Sequence, residues 1–188
     1  MVVVLFLITL VSGLALGYVN DLTLEPKAKA RLAKKVNALR TVLPEFDNDP
    51  VEGVILISSG VSTDSLELYP AYKDGKFIGA AVTGFSNKGY NGLVRLMIGF
   101  EEDGMIRDIA VIEQKETPGL GTKMKGEKFL SQFRDKDPAI FDLKVEKDGG
   151  QVDALAGATI STRAFTEATS QAYNAYMAFR GGKTIAIK

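Results

Sequence analysis

The chain contains no cysteine, no histidine and no tryptophan among its 188 residues. Without cysteine there are no disulfides, no thiol nucleophile and no thiolate ligands for an iron–sulfur cluster. Without histidine, a Ser-His-Asp triad, a histidine-bound metal and an axial haem histidine are all excluded. Neither sign of charge is in excess, since 23 Lys and Arg face 23 Asp and Glu. That balance argues against a nucleic-acid partner, which usually needs a strongly basic domain. Redox or catalytic work must then come from a bound cofactor, or from carboxylates, amines and hydroxyls. What the chain does have is a 46% share of hydrophobic residues, enough for a sizeable core. Its length suits one globular domain with an appendage.

Met1 to Val19 carries no charged residue. At about 1.5 Å per residue a helix of that length reaches roughly 28 Å, close to the hydrocarbon thickness of a bilayer. Tyr18 stands near the end of the run, where an interfacial aromatic is expected, and Asn20 and Asp21 end it. The expectation is a transmembrane anchor at residues 1–19, in contact with membrane lipid. A cleaved signal peptide competes, with Ala15-Leu16-Gly17 as its cleavage site, but its apolar region normally spans only about 7–15 residues. No Lys or Arg precedes the run; Lys27, Lys29, Arg31, Lys34, Lys35 and Arg40 follow it, against Asp21 and Glu25. By charge alone, the positive-inside rule leaves the rest of the chain in the cytoplasm.

Residues 20–50 read as a helical stalk and linker, with the helix either solvated or packed on the domain, in preference to one lying on a membrane surface. Leu32, Val36, Leu39 and Leu43 recur at helical spacing over 22–43, and Pro44 with Asp47-Asn48-Asp49-Pro50 breaks the chain. Residues 51–188 read as the main domain. Gly53–Ser58 is an apolar run. Strands are expected at Leu66–Tyr72 and Lys76–Thr83 around Lys73-Asp74-Gly75, and at Leu93–Phe100 and Met105–Glu113 around Glu101-Glu102-Asp103-Gly104. A helix is expected over 126–135, a short strand over Phe141–Val145, and a long helix after Thr159 with Ala164, Ala168, Ala172, Ala175 and Phe179 on one stripe. The fold class is α+β: a mostly antiparallel sheet with flanking helices, preceded by one N-terminal transmembrane helix.

Three clusters could carry chemistry. In Asp153-Ala-Leu-Ala-Gly-Ala-Thr159, Gly157 and Ala158 allow close approach, and a hydroxyl then stands at the mouth of a helix, a place suited to phosphate. The plain alternative is a strand–turn–helix joint with Thr159 or Ser161 as N-cap. In Glu116-Thr117-Pro118-Gly119-Leu120-Gly121, the glycines bare a loop on which Leu120 would meet a flat ring; the alternative is a tight turn. That loop has neither the Walker A nor the Rossmann spacing. In Gly89-Tyr90-Asn91-Gly92, Tyr90 lines a ligand pocket or simply packs on a turn.

Taken together, the clusters resemble an FMN-binding domain. Asp-x-x-x-Gly-Ala-Thr opening a helix is similar to the flavinylation motif of proteins that carry FMN as a phosphoester on threonine. Ala156 stands where that motif usually has Ser or Thr. The resemblance covers roughly residues 85–180 and points to the G subunits of Rnf-type ion-translocating electron transport complexes. The C subunits of sodium-translocating NADH:quinone reductases are a related alternative. A membrane-tethered binding module without covalent cofactor is an alternative of another class.

The resemblance implies covalent FMN on Thr159, with Asp153 as the motif's acid and Ser161 and Thr162 as neighbouring hydroxyls. Glu116, Thr117, Pro118, Gly119, Leu120, Gly121, Gly89, Tyr90, Gly157 and Ala158 would surround the flavin, and no metal is implied. It also implies a redox-driven translocase of which this chain is one subunit without independent turnover. Maturation by a flavin transferase, contact with the other membrane and redox subunits, and a flavin domain on the outer face of the inner membrane are implied as well. This last expectation outweighs the charge reading.

Overall fold

The computed structural model describes residues 1–58 and 65–182. The last six residues of the expected 51–188 domain lie outside the described residues. The chain forms two compact units, Met1–Val36 and Asn37–Lys188.

In the first unit a single helix, α1 (Val2–Val42), begins. Asn20 and Asp21 end the apolar run but not the helix. The large apolar side chains from Met1 to Leu24 are exposed. The helix is long and apolar enough to cross a membrane.

The second unit is built on five antiparallel strands in the order β1-β2-β3-β4-β5. They are β1 (Ile55–Ser58), β2 (Ser65–Lys73), β3 (Lys76–Gly89), β4 (Gly92–Glu101) and β5 (Ile106–Gln114). Sequential hairpins give this meander. At the β2–β3 turn Asp74 and Gly75 both take positive φ, 51° and 72°, the type I′ geometry that follows the strand twist. The strands lie close to the ranges expected around the two turns, except that β3 runs on to Gly89. Gly84, Ser86, Asn87 and Lys88 are weak strand formers, so tertiary packing decides this stretch.

Two helical segments cover the sheet. The helix α3 (Thr159–Arg180, with the short α2 introduced below) lays Ala164, Phe165, Ala168, Ala172, Ala175 and Tyr176 on one face, against Leu66, Leu68, Val82, Val94, Leu96, Ile98 and Phe100. Its small-residue stripe lets the backbones come close. A Cβ on Gly84 would run into the Ala168 carbonyl. On the opposite face Ala38, Leu39, Val42 and Leu43 pack with Tyr69, Ala71, Ala81 and Met97. Of the two readings of this helix, its final turns take the packed one.

Two expectations change. The helix expected over 126–135 shrinks to α2 (Glu127–Leu130) followed by turns. Phe129 and Phe133 nevertheless bury against Phe165, with ring centroids 5.0 and 5.1 Å away. The strand expected over Phe141–Val145 does not form. The segment folds on itself instead: Gln151 accepts from the Asp142 amide at 2.8 Å, and only a single parallel bridge, Val145 to Val152, remains.

Candidate functional site

The exit of β5, the β3–β4 hairpin tip and the start of α3 come together around a cleft of about 520 Å³. Tyr90, Glu116, Thr117, Leu120, Gly121 and residues 157–161 line it. Its size falls within the usual range for small-molecule and cofactor sites, about 300–1,000 Å³.

The floor is held by a buried carboxylate. Glu116 is 4% exposed, and no Lys or Arg among the described residues lines the cleft. Its Oε2 accepts from the Ser161 hydroxyl at 2.5 Å and its Oε1 from the Asn91 amide at 3.1 Å. The Glu116 amide donates to Gln114 Oε1 at 2.6 Å. Gly89 and Gly121 make room for this side chain: a Cβ on Gly89 would lie 2.6 Å from Oε1, and one on Gly121 would lie 2.8 Å from Oε2.

The lip is a tight turn. Pro118 and Gly119, φ +78°, form its corner, and the Leu120 amide returns to the Thr117 carbonyl at 3.1 Å. Gly119 N–H donates to Thr122 Oγ1 at 3.0 Å. Pro118 and Gly119 therefore shape the loop without lining the cleft, and Leu120 is the side chain presented. Tyr90 is 68% exposed, at the rim rather than packed on the turn.

The opposite wall is the start of α3. Gly157 takes φ +73°, and Ala158 occupies the N-cap position with no side-chain cap. Neither Thr159 nor Ser161 caps the helix. The amides of Thr159, Ile160 and Ser161 consequently have no intrahelical acceptor. The Thr159 hydroxyl makes no hydrogen bond among the described residues. Thr162, fully buried, ties the turn down: its Oγ1 donates to the Ala158 carbonyl at 3.0 Å and accepts from the Leu155 amide at 3.1 Å. Asp153 is exposed outside the cleft, held through its backbone by Gln132, whose Oε1 accepts from the Asp153 amide at 2.8 Å. Ala156 is exposed on the turn, so its methyl leaves no polar group stranded inside.

Nine of the expected residues thus meet at one cleft, while Asp153, Pro118, Gly119, Gly89 and Thr162 act around it. Ile160, Asn91, Gln114 and Gln132 are additions. Ile160 could have been found from its place between Thr159 and Ser161. Gln114 acts locally, two residues before Glu116, whereas Asn91 and Gln132 join the site through long-range contacts that carry no local signal.

A larger hollow of about 800 Å³ borders α3 and residues 138–145. Its charged groups are largely committed to one another: Arg163 to Asp148 at 2.7 Å, Lys88 to Glu167 at 2.6 Å and Lys144 to Asp142 at 3.5 Å. The Arg163 guanidinium holds the Asp148 carboxyl below its ordinary range.

Residues 89–174 match the family described as FMN-binding domain. The G subunit of the ion-translocating oxidoreductase complex of Shewanella amazonensis is 32% identical over 172 residues, 86% of this chain and 80% of that protein. The G subunit of the sodium-translocating ferredoxin:NAD(+) oxidoreductase complex of Acetobacterium woodii is 27% identical, over 92% of this chain and 88% of that protein. The proton-translocating counterpart from Clostridium ljungdahlii is 28% identical with the same coverage. In structure, the crystal structure of NqrC from Shewanella oneidensis shares the fold, with a TM-score of 0.51, 21% identity, and coverage of 73% of this chain and 69% of that one. An FMN-domain match over the very residues that build the cleft, and relatives aligned along most of their length, lead to one conclusion: the chain belongs to the family of G subunits of ion-translocating oxidoreductase complexes.

Proposed function

We propose that this chain is a membrane-anchored electron-transfer subunit that carries FMN covalently as a phosphoester on Thr159. It relays electrons within an ion-translocating ferredoxin:NAD oxidoreductase complex. The observation that carries this reading is the unbonded Thr159 hydroxyl at the uncapped start of a 22-residue helix, opening on the cleft.

The residues fit the group. A phosphodiester keeps one negative charge, and the free amides of the first turn together with the helix dipole stabilise it, the dipole by about 0.3–1 kcal/mol. Gly157 and Ala158 leave space for the phosphate. Leu120 offers an apolar face to a flat ring, with Thr117 and Gly121 beside it and Tyr90 at the rim. The bound flavin supplies the redox chemistry; the protein supplies position and electrostatics. A permanent tether prevents cofactor loss by dilution, which suits a relay that must keep its carrier at every potential.

The exposed apolar helix serves as the lipid anchor, and the flavin domain lies on the outer face of the membrane. Other membrane and redox subunits are the working partners, and a flavin transferase is the maturation partner. The two relatives named for different ions, sodium and proton, match this chain equally well. Ion choice therefore belongs to other subunits, and this one passes electrons only.

Flavin fluorescence of the denatured full-length protein, made in a host that has a flavin transferase, tests the reading. The wild type should glow in a denaturing gel and carry the added mass of an FMN phosphoester. Thr159→Ala should do neither. A colourless wild type would favour a tethered binding module instead.

A further inference from the structure

Three hydroxyls stand within four residues at the start of α3, on Thr159, Ser161 and Thr162. A transferase arriving at this turn must distinguish among them. The geometry treats them differently. Thr162 is fully buried, and its oxygen is used both as donor and as acceptor. Thr159 is unbonded and borders the cleft. Ser161 is the intermediate case, because it lines the cleft yet is 1% exposed, with its hydroxyl donating a hydrogen bond to Glu116.

We propose that Glu116 is a specificity-determining residue for flavin attachment, withholding Ser161 so that only Thr159 is modified. This rests on the covalent reading above. In the transfer step, the acceptor oxygen bonds to the FMN phosphorus of an activated flavin whose phosphate is half of a pyrophosphate. The pyrophosphate P–O bond breaks, and the hydroxyl proton leaves with the departing phosphate. The acceptor therefore needs an open line to phosphorus and room for a polyanion next to it. Ser161 has neither. The Glu116 carboxylate sits against the Ser161 hydroxyl at 2.5 Å and repels an incoming phosphate. A carboxylate can activate a serine, but not one whose approach that same carboxylate fills. Asn91 N–H, donating to the other carboxylate oxygen, and Gly89 and Gly121, closing round it, fix the carboxylate in this role.

The test maps the adduct by peptide mass spectrometry on full-length protein from a transferase-containing host. Wild type is expected to carry FMN on Thr159 only, and Thr159→Ala to carry none. Thr159→Ala combined with Glu116→Ala is expected to acquire an adduct on Ser161, lost again when Ser161→Ala is added. An adduct on Ser161 with Glu116 intact would overturn the inference, as would a folded double variant with no adduct at all. A wild type without any adduct would instead defeat the covalent reading itself. If the double variant fails to fold, proton NMR of the unmodified wild type decides. A slowly exchanging, downfield Ser161 hydroxyl proton supports the inference, and its absence overturns it.

Discussion

Leu120 closes over Gly157 so that a Cβ on residue 157 would lie 3.3 Å from Leu120 Cδ2. Lip and wall of the cleft therefore leave little room for a side chain at a residue that also takes φ +73°. Gly157→Ala should cost about 1–2 kcal/mol from the left-handed backbone alone. It should also narrow the flavin entrance. Urea unfolding and in-gel fluorescence should both fall; unchanged stability would mean that the turn relaxes to another conformation.

Thr162→Val removes an oxygen that holds two backbone groups of the motif turn. The Leu155 amide loses its partner, at an expected cost of about 1–3 kcal/mol. Thr162→Ser should recover most of that loss. Adduct yield per folded molecule should drop with Val and return with Ser, because the turn that presents Thr159 is released and then restored.

Gly84→Ala places a methyl against the Ala168 carbonyl. Neither backbone can yield without moving α3, so a loss of about 1–3 kcal/mol is expected. Since α3 begins at the cleft, covalent flavin should fall as well. A stability equal to wild type in thermal melts would show that the helix can shift freely.

Burial pushes the Tyr176 phenol up to about 12 from an ordinary 10.0. Its hydroxyl donates to the Glu101 carbonyl at 2.7 Å. The folded pKa is the higher one, so this contribution to stability is complete below pH 10 and disappears as pH rises through about 12. Unfolding midpoints should decline across that window. Tyr176→Phe should flatten the decline in part, since Tyr69 and Tyr173 have phenols raised in the same direction by burial. An identical profile in the variant would rule Tyr176 out as a source.

Much of the architecture is legible from pattern. Runs flanking Asp-Gly turns locate β2, β4 and β5, Asp74-Gly75 marks a turn, and the alanine stripe marks α3. The misses share a cause. β3 extends through glycine and polar residues because α3 lies across them, and residues 141–145 fail as a strand because Asp142 pairs with Gln151 while Val152 pairs with Lys144 and Glu146. The site is legible to the extent that glycines and hydroxyls cluster along the chain. The link from Ser161 to Glu116 spans 45 positions and the clamp of Gln132 on Asp153 spans 21, and no local pattern announces either.

The last turns of α1 are shared property: Leu39 and Val42 fill the back of the sheet while the same helix starts as an oily tail. Clipping the chain anywhere beyond Asn37 would strip a layer from the folded body and lay Met97 and Tyr69 bare. A version that lacks the apolar run therefore has to keep the chain from Asn37 onward.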